Sequence, residues 1–234
     1  MTQTTYENRR RELKTYFDHT AKDNWVALTS NTPVSRIRET VRAGRDAMRQ
    51  TLLGLLPEDL SGARILDAGC GTGMLSIEAA QRGADVIAVD ISPALVKEAR
   101  TRSLGLPNAE RITFKSGDMT DPEHGEFDFI VAMDSLIHYP LQSVVPILDT
   151  FASRTRTKIA FTFAPSTPAL AAMKTVGKFF PKNDRSPAIE PIRETRLVKA
   201  IDSGSGELAS FSVGQTKRIS TGFYKSQAME LIRR

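Results

Sequence analysis

Three glycines at alternate positions, Gly69, Gly71 and Gly73, follow two residues behind an acid, Asp67, that closes an apolar run. Glycine at such positions lets the backbone take positive φ and lets a ligand lie against the main chain with no Cβ in the way. The next apolar run, Ala84 to Val89, ends in a second acid, Asp90, placed about one βαβ unit downstream, where a carboxylate suits a ribose diol. A third acid stands in Ser116-Gly117-Asp118-Met119. Glycine loop and ribose acid together imply a cofactor that contains a nucleoside. Dinucleotide loops read G-x-G-x-x-G and set a helix N-terminus against a pyrophosphate. Here the spacing is G-x-G-x-G, and Asp67 would repel a pyrophosphate but favour the cationic amino-acid end of S-adenosylmethionine. The candidate cofactor set is Asp67, Ala68, Gly69, Gly71, Gly73, Asp90, Ile91, Gly117, Asp118, Met119, Met133 and Asp134, with Arg42 from an earlier helix.

These residues need strands behind them. Apolar runs at Arg64–Asp67, Val86–Asp90, Ile112–Lys115, Phe127–Met133 and Lys158–Phe163 read as strands with helices between, hence a parallel sheet with right-handed crossovers. Leu208–Ile219 and Thr221–Ala228 read as two closing antiparallel strands around a turn near Gly222. The expected fold is therefore α/β, a Rossmann-like, mostly parallel seven-stranded sheet with helices on both faces. Residues 6–28 and 35–56 read as helices of an N-terminal cap, broken at Pro33, and Met173–Pro181 as a short lid helix with an apolar end. The expected division is 1–60 cap, 61–165 cofactor-binding core, 166–200 lid and helix, and 201–234 closing strands. Ligands in open α/β sheets sit beyond the carboxyl ends of the strands, so Met133 to Tyr139 should project over the cofactor, with His138 beside the chemistry.

At 234 residues and 40% hydrophobic the chain is long enough for one α/β core with additions. Its single cysteine, Cys70, excludes an internal disulfide and reads as packing within the glycine loop. No secretory leader pattern and no run of the ~18 apolar residues that a membrane span requires is visible, so a cytoplasmic location is expected, with peripheral membrane contact left open. The net charge of +5 is concentrated in Arg9 to Lys14, in Arg36 to Arg49 and late in the chain. Few aromatics interleave with those cations, which argues against nucleic acid and for an anionic small molecule. Glu7 and Glu12 lie close enough to pair with Arg9 to Arg11, so that run reads as a solvated helix face.

The glycine loop with its three acids resembles the class I S-adenosylmethionine methyltransferases. A more selective resemblance runs over nearly the whole chain: Tyr16-Phe17 with Trp25, Pro33 to Arg45, Asp134-Ser135-Leu136-Ile137-His138-Tyr139-Pro140, Phe163-Ala164-Pro165, Phe179-Phe180-Pro181 and Phe223-Tyr224. Together these resemble the magnesium-protoporphyrin O-methyltransferase family of chlorophyll and bacteriochlorophyll synthesis, on its purple-bacterial side. The resemblance implies methylation of one propionate of magnesium-protoporphyrin IX, with S-adenosylhomocysteine as by-product and magnesium present only as part of the porphyrin. It implies that His138 orients the propionate, with Tyr139 or Thr29 assisting, or else ligates the porphyrin magnesium. Family members from oxygenic phototrophs carry a tyrosine where this chain has Thr29, so no tyrosine role carries over to that position. Tyr16, Trp25, Phe179 and Phe180 are the implied substrate contacts, with Arg38 for the second propionate, and transient contact with the porphyrin-binding subunit of magnesium chelatase is the implied partnership. The alternatives are a methyltransferase for another small carboxylate or for RNA, and a porphyrin carrier without chemistry.

Overall fold

The computed structural model describes residues 3–20, 35–166 and 189–234. Trp25, Thr29, Phe179, Phe180 and the lid helix expected at 173–181 lie outside the described residues.

Leu66 and Ala68 turn to one face of the central strand and Ile65 to the other, and both faces are buried, so β1 (Arg64–Ala68) is apolar on both sides as an interior parallel strand must be. It pairs in parallel with β2 (Asp85–Asp90) and β4 (Phe127–Ala132). Beyond these lie β3 (Ile112–Ser116) and β5 (Thr155–Phe163), also parallel, and two antiparallel strands, β6 (Phe211–Thr221) and β7 (Tyr224–Arg233). The sheet order is β3-β2-β1-β4-β5-β7-β6. This is the expected α/β class, a Rossmann-like, mostly parallel seven-stranded sheet with a buried core on each face. The closing strands start and stop later than the sequence suggests: Leu208 sits in a 3-10 turn, and β7 runs five residues past Ala228. A bulge between Val213 and Thr216 breaks the alternation there and makes room for Glu230, whose Oε1 accepts from the Gln215 N–H (3.0 Å) while its carboxylate meets Lys158 (2.7 Å).

Before β1 come α1 (Gln3–Thr15), which ends in a π-helical turn at Tyr16–Thr20, and α2 (Arg36–Gly54), whose N-cap Ser35 accepts from the Arg38 N–H. The later helices are α3 (Met74–Gln81), α4 (Pro93–Ser103), α5 (Leu141–Ala152) and α6 (Glu194–Asp202). Within 1–60, α2 buries Met48, Leu52 and Leu53 in the same core as Ile65, Val86 and Ala228, making it a layer of the fold. Gly44 of that helix lies so close to β7 that a Cβ there would stand 2.5 Å from the Tyr224 ring. Leu13 of α1 joins the opposite core with Leu136 and Tyr139. No helix among the described residues is long and apolar enough to cross a membrane.

Candidate active site

The carboxyl ends of β1, β2, β3 and β4 open onto one cleft of about 1360 Å³, counted with its mouth. Its floor is the glycine loop between β1 and α3. Gly69, Gly71 and Gly73 have φ of +88°, +55° and +80°, which side-chain-bearing residues rarely adopt. Space imposes a second demand at Gly69, where a Cβ would stand 2.4 Å from the Ser135 Cβ. The loop is pinned to the end of β2: Gly69 and Cys70 donate N–H bonds to the Val89 carbonyl, and Gly71 donates to Asp90 Oδ2 at 2.8 Å. Cys70 is buried and unbridged, and burial pushes its thiol well above the ordinary range, as suits a packing residue.

Three acids face the cleft in different states. Asp67 is buried and takes a hydrogen bond from Ser76 Oγ at 2.5 Å. Desolvation, helped by the nearby Asp90 charge, pushes its carboxyl up to about 7 against the opposing pull of Ser76. Asp90 accepts from the N–H of Gly71 and of Ser92, and burial raises it to about 6 despite those bonds. Asp118 goes the other way. Burial opposes its ionisation, yet Thr120 (backbone and hydroxyl), Tyr6 and Arg10 together hold its carboxyl below the ordinary range. Tyr6 donates to Asp118 Oδ1 at 2.7 Å and Arg10 pairs with Oδ2.

Past β4 the chain turns sharply at Asp134, then enters a 3-10 turn at Leu136–His138 that presents His138 and Tyr139 to the cleft. Both are nearly buried. The Tyr139 ring stacks on Tyr6 (centroids 5.4 Å apart), His138 meets Phe17 edge-on at 6.0 Å, and the His138 carbonyl accepts from Arg9 Nε at 2.8 Å. Helix α1 thus roofs the site. This corrects the solvated reading of Arg9 to Arg11: Arg9 keeps its pairing with Glu12 at 3.1 Å, but it also holds the His138 turn, and Arg10 holds Asp118.

Of the candidate residues, Asp67, Gly69, Gly71, Asp90, Ile91, Gly117, Asp118, Met119, Met133, Asp134, Arg42, His138 and Tyr139 all line this one cleft. Ala68 and Gly73 stand behind the lining: the Ala68 carbonyl accepts from Ser135 Oγ, and Gly73 packs against Ala99 and Phe114. Tyr16 packs edge-on against Phe17 and Arg38 is exposed on α2, both off the cleft wall. Sequence reasoning missed Tyr6, Arg10, Leu13 and Phe17, although their spacing of four, three and four residues marks one helix face. It also missed Arg45, which joins Arg42 on the cleft side of α2.

A glycine floor, an acid at each strand end and a histidine-bearing turn fit an S-adenosylmethionine-sized ligand with a cationic end and a ribose. Residues 132–233 match the family model described as the magnesium-protoporphyrin IX methyltransferase C-terminus, and residues 65–158 match a general methyltransferase domain. The magnesium-protoporphyrin O-methyltransferase of Rhodobacter capsulatus is 43% identical over 96% of this chain and 97% of its own. That of Synechocystis is 31% identical over 94% and 95%. The crystal structure of magnesium protoporphyrin IX methyltransferase from Synechocystis with bound SAH superposes with a TM-score of 0.80 at 29% identity, covering 96% of this chain and all of that one. A geranyl diphosphate methyltransferase at 12% identity and a TM-score of 0.70 shares the fold.

Proposed function

The chain belongs to the magnesium-protoporphyrin O-methyltransferase family, and we propose that it esterifies one propionate of magnesium-protoporphyrin IX with the methyl group of S-adenosylmethionine. The observation that carries this is the shared cleft, in which the cofactor acids and the His138 turn face one another across the strand ends. When bound, S-adenosylmethionine supplies a methyl group on a sulfonium centre. In this reading Asp67 pairs with the ammonium end, Asp90 accepts from the ribose hydroxyls, and the Gly117 to Met119 segment borders the base. Arg42, one of the cations that line the cleft, meets the ligand's carboxylate.

A propionate resembles a glutamate side chain, with a pKa of about 4.3, and is an anion at neutral pH. No base is then required. What the chain must do is aim a carboxylate oxygen and keep water from it. His138, nearly buried and held from behind through its carbonyl by Arg9, is suited to hydrogen-bond and orient the propionate, with Tyr139 beside it. This role is favoured over magnesium ligation because the His138 turn follows directly from the end of β4 and lines the same cleft as the glycine loop, where the cofactor's methyl end would lie. Replacing His138 by Ala should lower turnover of magnesium-protoporphyrin IX with labelled S-adenosylmethionine by roughly 10- to 100-fold and leave cofactor affinity intact, with residual turnover at saturating S-adenosylmethionine flat above pH ~6. Complete loss with a new need for high pH would mean that His138 removes a proton, and that the acceptor is a hydroxyl or amine.

Two associations accompany this reading. The flat apolar macrocycle gains from direct handover by the porphyrin-binding subunit of magnesium chelatase. A peripheral membrane contact fits Phe223 and Ile37, 55% and 54% exposed. Phe223 adjoins Gly222 at the β6–β7 turn, which packs on Thr40 of α2, and Arg36 and Arg38 flank Ile37. Because β7 begins beyond the carboxyl end of β5, this apex lies at the same end of the sheet as the cleft.

A further inference from the structure

We propose that Asp134 is a positioning residue for His138 and not a ligand of the cofactor, an inference that rests on the methyltransferase reading above for its kinetic consequence only. Asp134 lines the cleft, so its carboxylate was a natural candidate for ligand binding. Its side chain is only 2% exposed, and its two oxygens are already occupied. Arg45 Nη1 of α2 meets Oδ2 at 2.6 Å, and the Tyr224 hydroxyl of β7 lies 3.0 Å from both oxygens. Ser226 Oγ of β7 donates to Oδ1 at 3.1 Å, and Thr162 Oγ1 of β5 lies 3.3 Å from the same atom. A carboxylate has about four lone-pair sites. Three other elements of the fold converge on this one and leave little for a ligand.

The backbone carries the same message. Asp134 has a φ of 53°, a left-handed conformation that costs a residue with a side chain free energy and persists where its surroundings over-determine it. Its N–H donates to Thr162 Oγ1 at 2.7 Å, which holds the turn from the backbone side. The next residue, Ser135, ties the turn to the cofactor loop through Oγ to the Ala68 carbonyl at 2.7 Å, directly under Gly69. Leu136 to His138 then follow as a single 3-10 turn. With Asp134 clamped and Ser135 seated, the direction in which His138 leaves β4 is fixed relative to the glycine loop. Gly44, which has room for no side chain against the Tyr224 ring, brings α2 close enough for Arg45 to complete the clamp.

The test uses the full-length protein with Asp134→Asn and Tyr224→Phe. Misplacing a reacting group by an ångström costs up to about 100-fold, so Asp134→Asn should lower kcat about 10- to 100-fold and Tyr224→Phe about 3- to 10-fold. The KM for magnesium-protoporphyrin IX and the calorimetric Kd for S-adenosylmethionine should stay within about twofold of wild type, as expected for loss of transition-state positioning alone. A second readout is independent of substrate. The chain has three histidines, and with ¹⁵N-labelled histidine the ring resonances of His138 should move in Tyr224→Phe while those of His124 do not. Wild-type protein inactive on the porphyrin would overturn the functional reading yet leave the resonance test standing. A cofactor Kd that rises in step with the loss of turnover would make Asp134 a ligand and overturn the proposal, as would unchanged His138 resonances in Tyr224→Phe. If Asp134→Asn fails to fold, Tyr224→Phe decides alone, since it keeps the carboxylate and its ion pair.

Discussion

Lowering the pH from 7.5 to 5.5 should weaken S-adenosylmethionine binding about 25-fold, because Asp67 must be ionised to pair with the ligand's ammonium group. With its carboxyl at about 7, the ionised fraction falls from about 0.76 to about 0.03 over that range. Asp90, at about 6, loses charge over the same interval and adds to the effect. The ligand's own amino group, near the 7.7 to 8.0 typical of an α-amine, stays mostly protonated throughout. Stability of the ligand-free protein should run in the opposite direction. A carboxyl raised by burial binds more protons folded than unfolded, so its contribution is full below the ordinary pKa of 3.8 and is lost as pH rises through about 7. Calorimetric titrations at both pH values, repeated in buffers of different ionisation enthalpy, would also show protons released on binding at pH 5.5. Thermal melts without ligand give the stability slope, and Asp67→Asn should flatten both dependences. Wild-type affinity that does not change between pH 5.5 and 7.5 would refute the pairing of Asp67 with the cationic end.

Two further outcomes are expected. Gly69→Ala should cost about 1 to 3 kcal/mol in urea denaturation and abolish cofactor binding, since it meets both a left-handed φ and Ser135; Gly62→Ala, at φ +76° with open space around it, should lose stability alone. Replacing Ile37 and Phe223 by Ser should reduce co-sedimentation with anionic vesicles by about tenfold or more, as burial of each such side chain contributes about 1.5 to 3 kcal/mol, and equal sedimentation would remove the apex as a membrane contact.

The inner parallel strands β1, β2 and β4 were legible because both of their faces are largely buried, leaving apolar runs that end at or just before Asp67, Asp90 and Asp134. The glycine loop was legible because its chemistry is local: Gly69, Gly71 and Gly73 act within a few residues of Asp67. What escaped was long-range pairing. Nothing near Asp134 announces Arg45, 89 residues away, or Tyr224, 90 residues away. Tyr6 and Arg10 reach Asp118 across 112 and 108 residues, so Glu7 and Glu12 looked like the natural partners of the basic run. The closing strands were misplaced by a few residues because β6 is largely exposed and bulged, and an exposed strand with a shifted register loses its alternation.

The roof formed by α1 and its following turn sets a limit on speed. Polar contacts that join it to the floor and walls include Tyr6 and Arg10 on Asp118, Arg9 on the His138 carbonyl and on Glu190, and Asp18 accepting from Ser92 Oγ. At about 0.5 to 1.5 kcal/mol net for each of four such bonds, the polar part of lifting the roof alone costs about 2 to 6 kcal/mol, and withdrawing Leu13 from the core adds to it, so the open fraction is at most between roughly one in thirty and one in 26,000. For a reclosing time on the order of 10 µs, openings come on the order of once to a few thousand times per second. A by-product that leaves by that route departs no faster than this. The ceiling on turnover is then written in the hydrogen bonds of the first eighteen residues, at a distance from the methyl group itself.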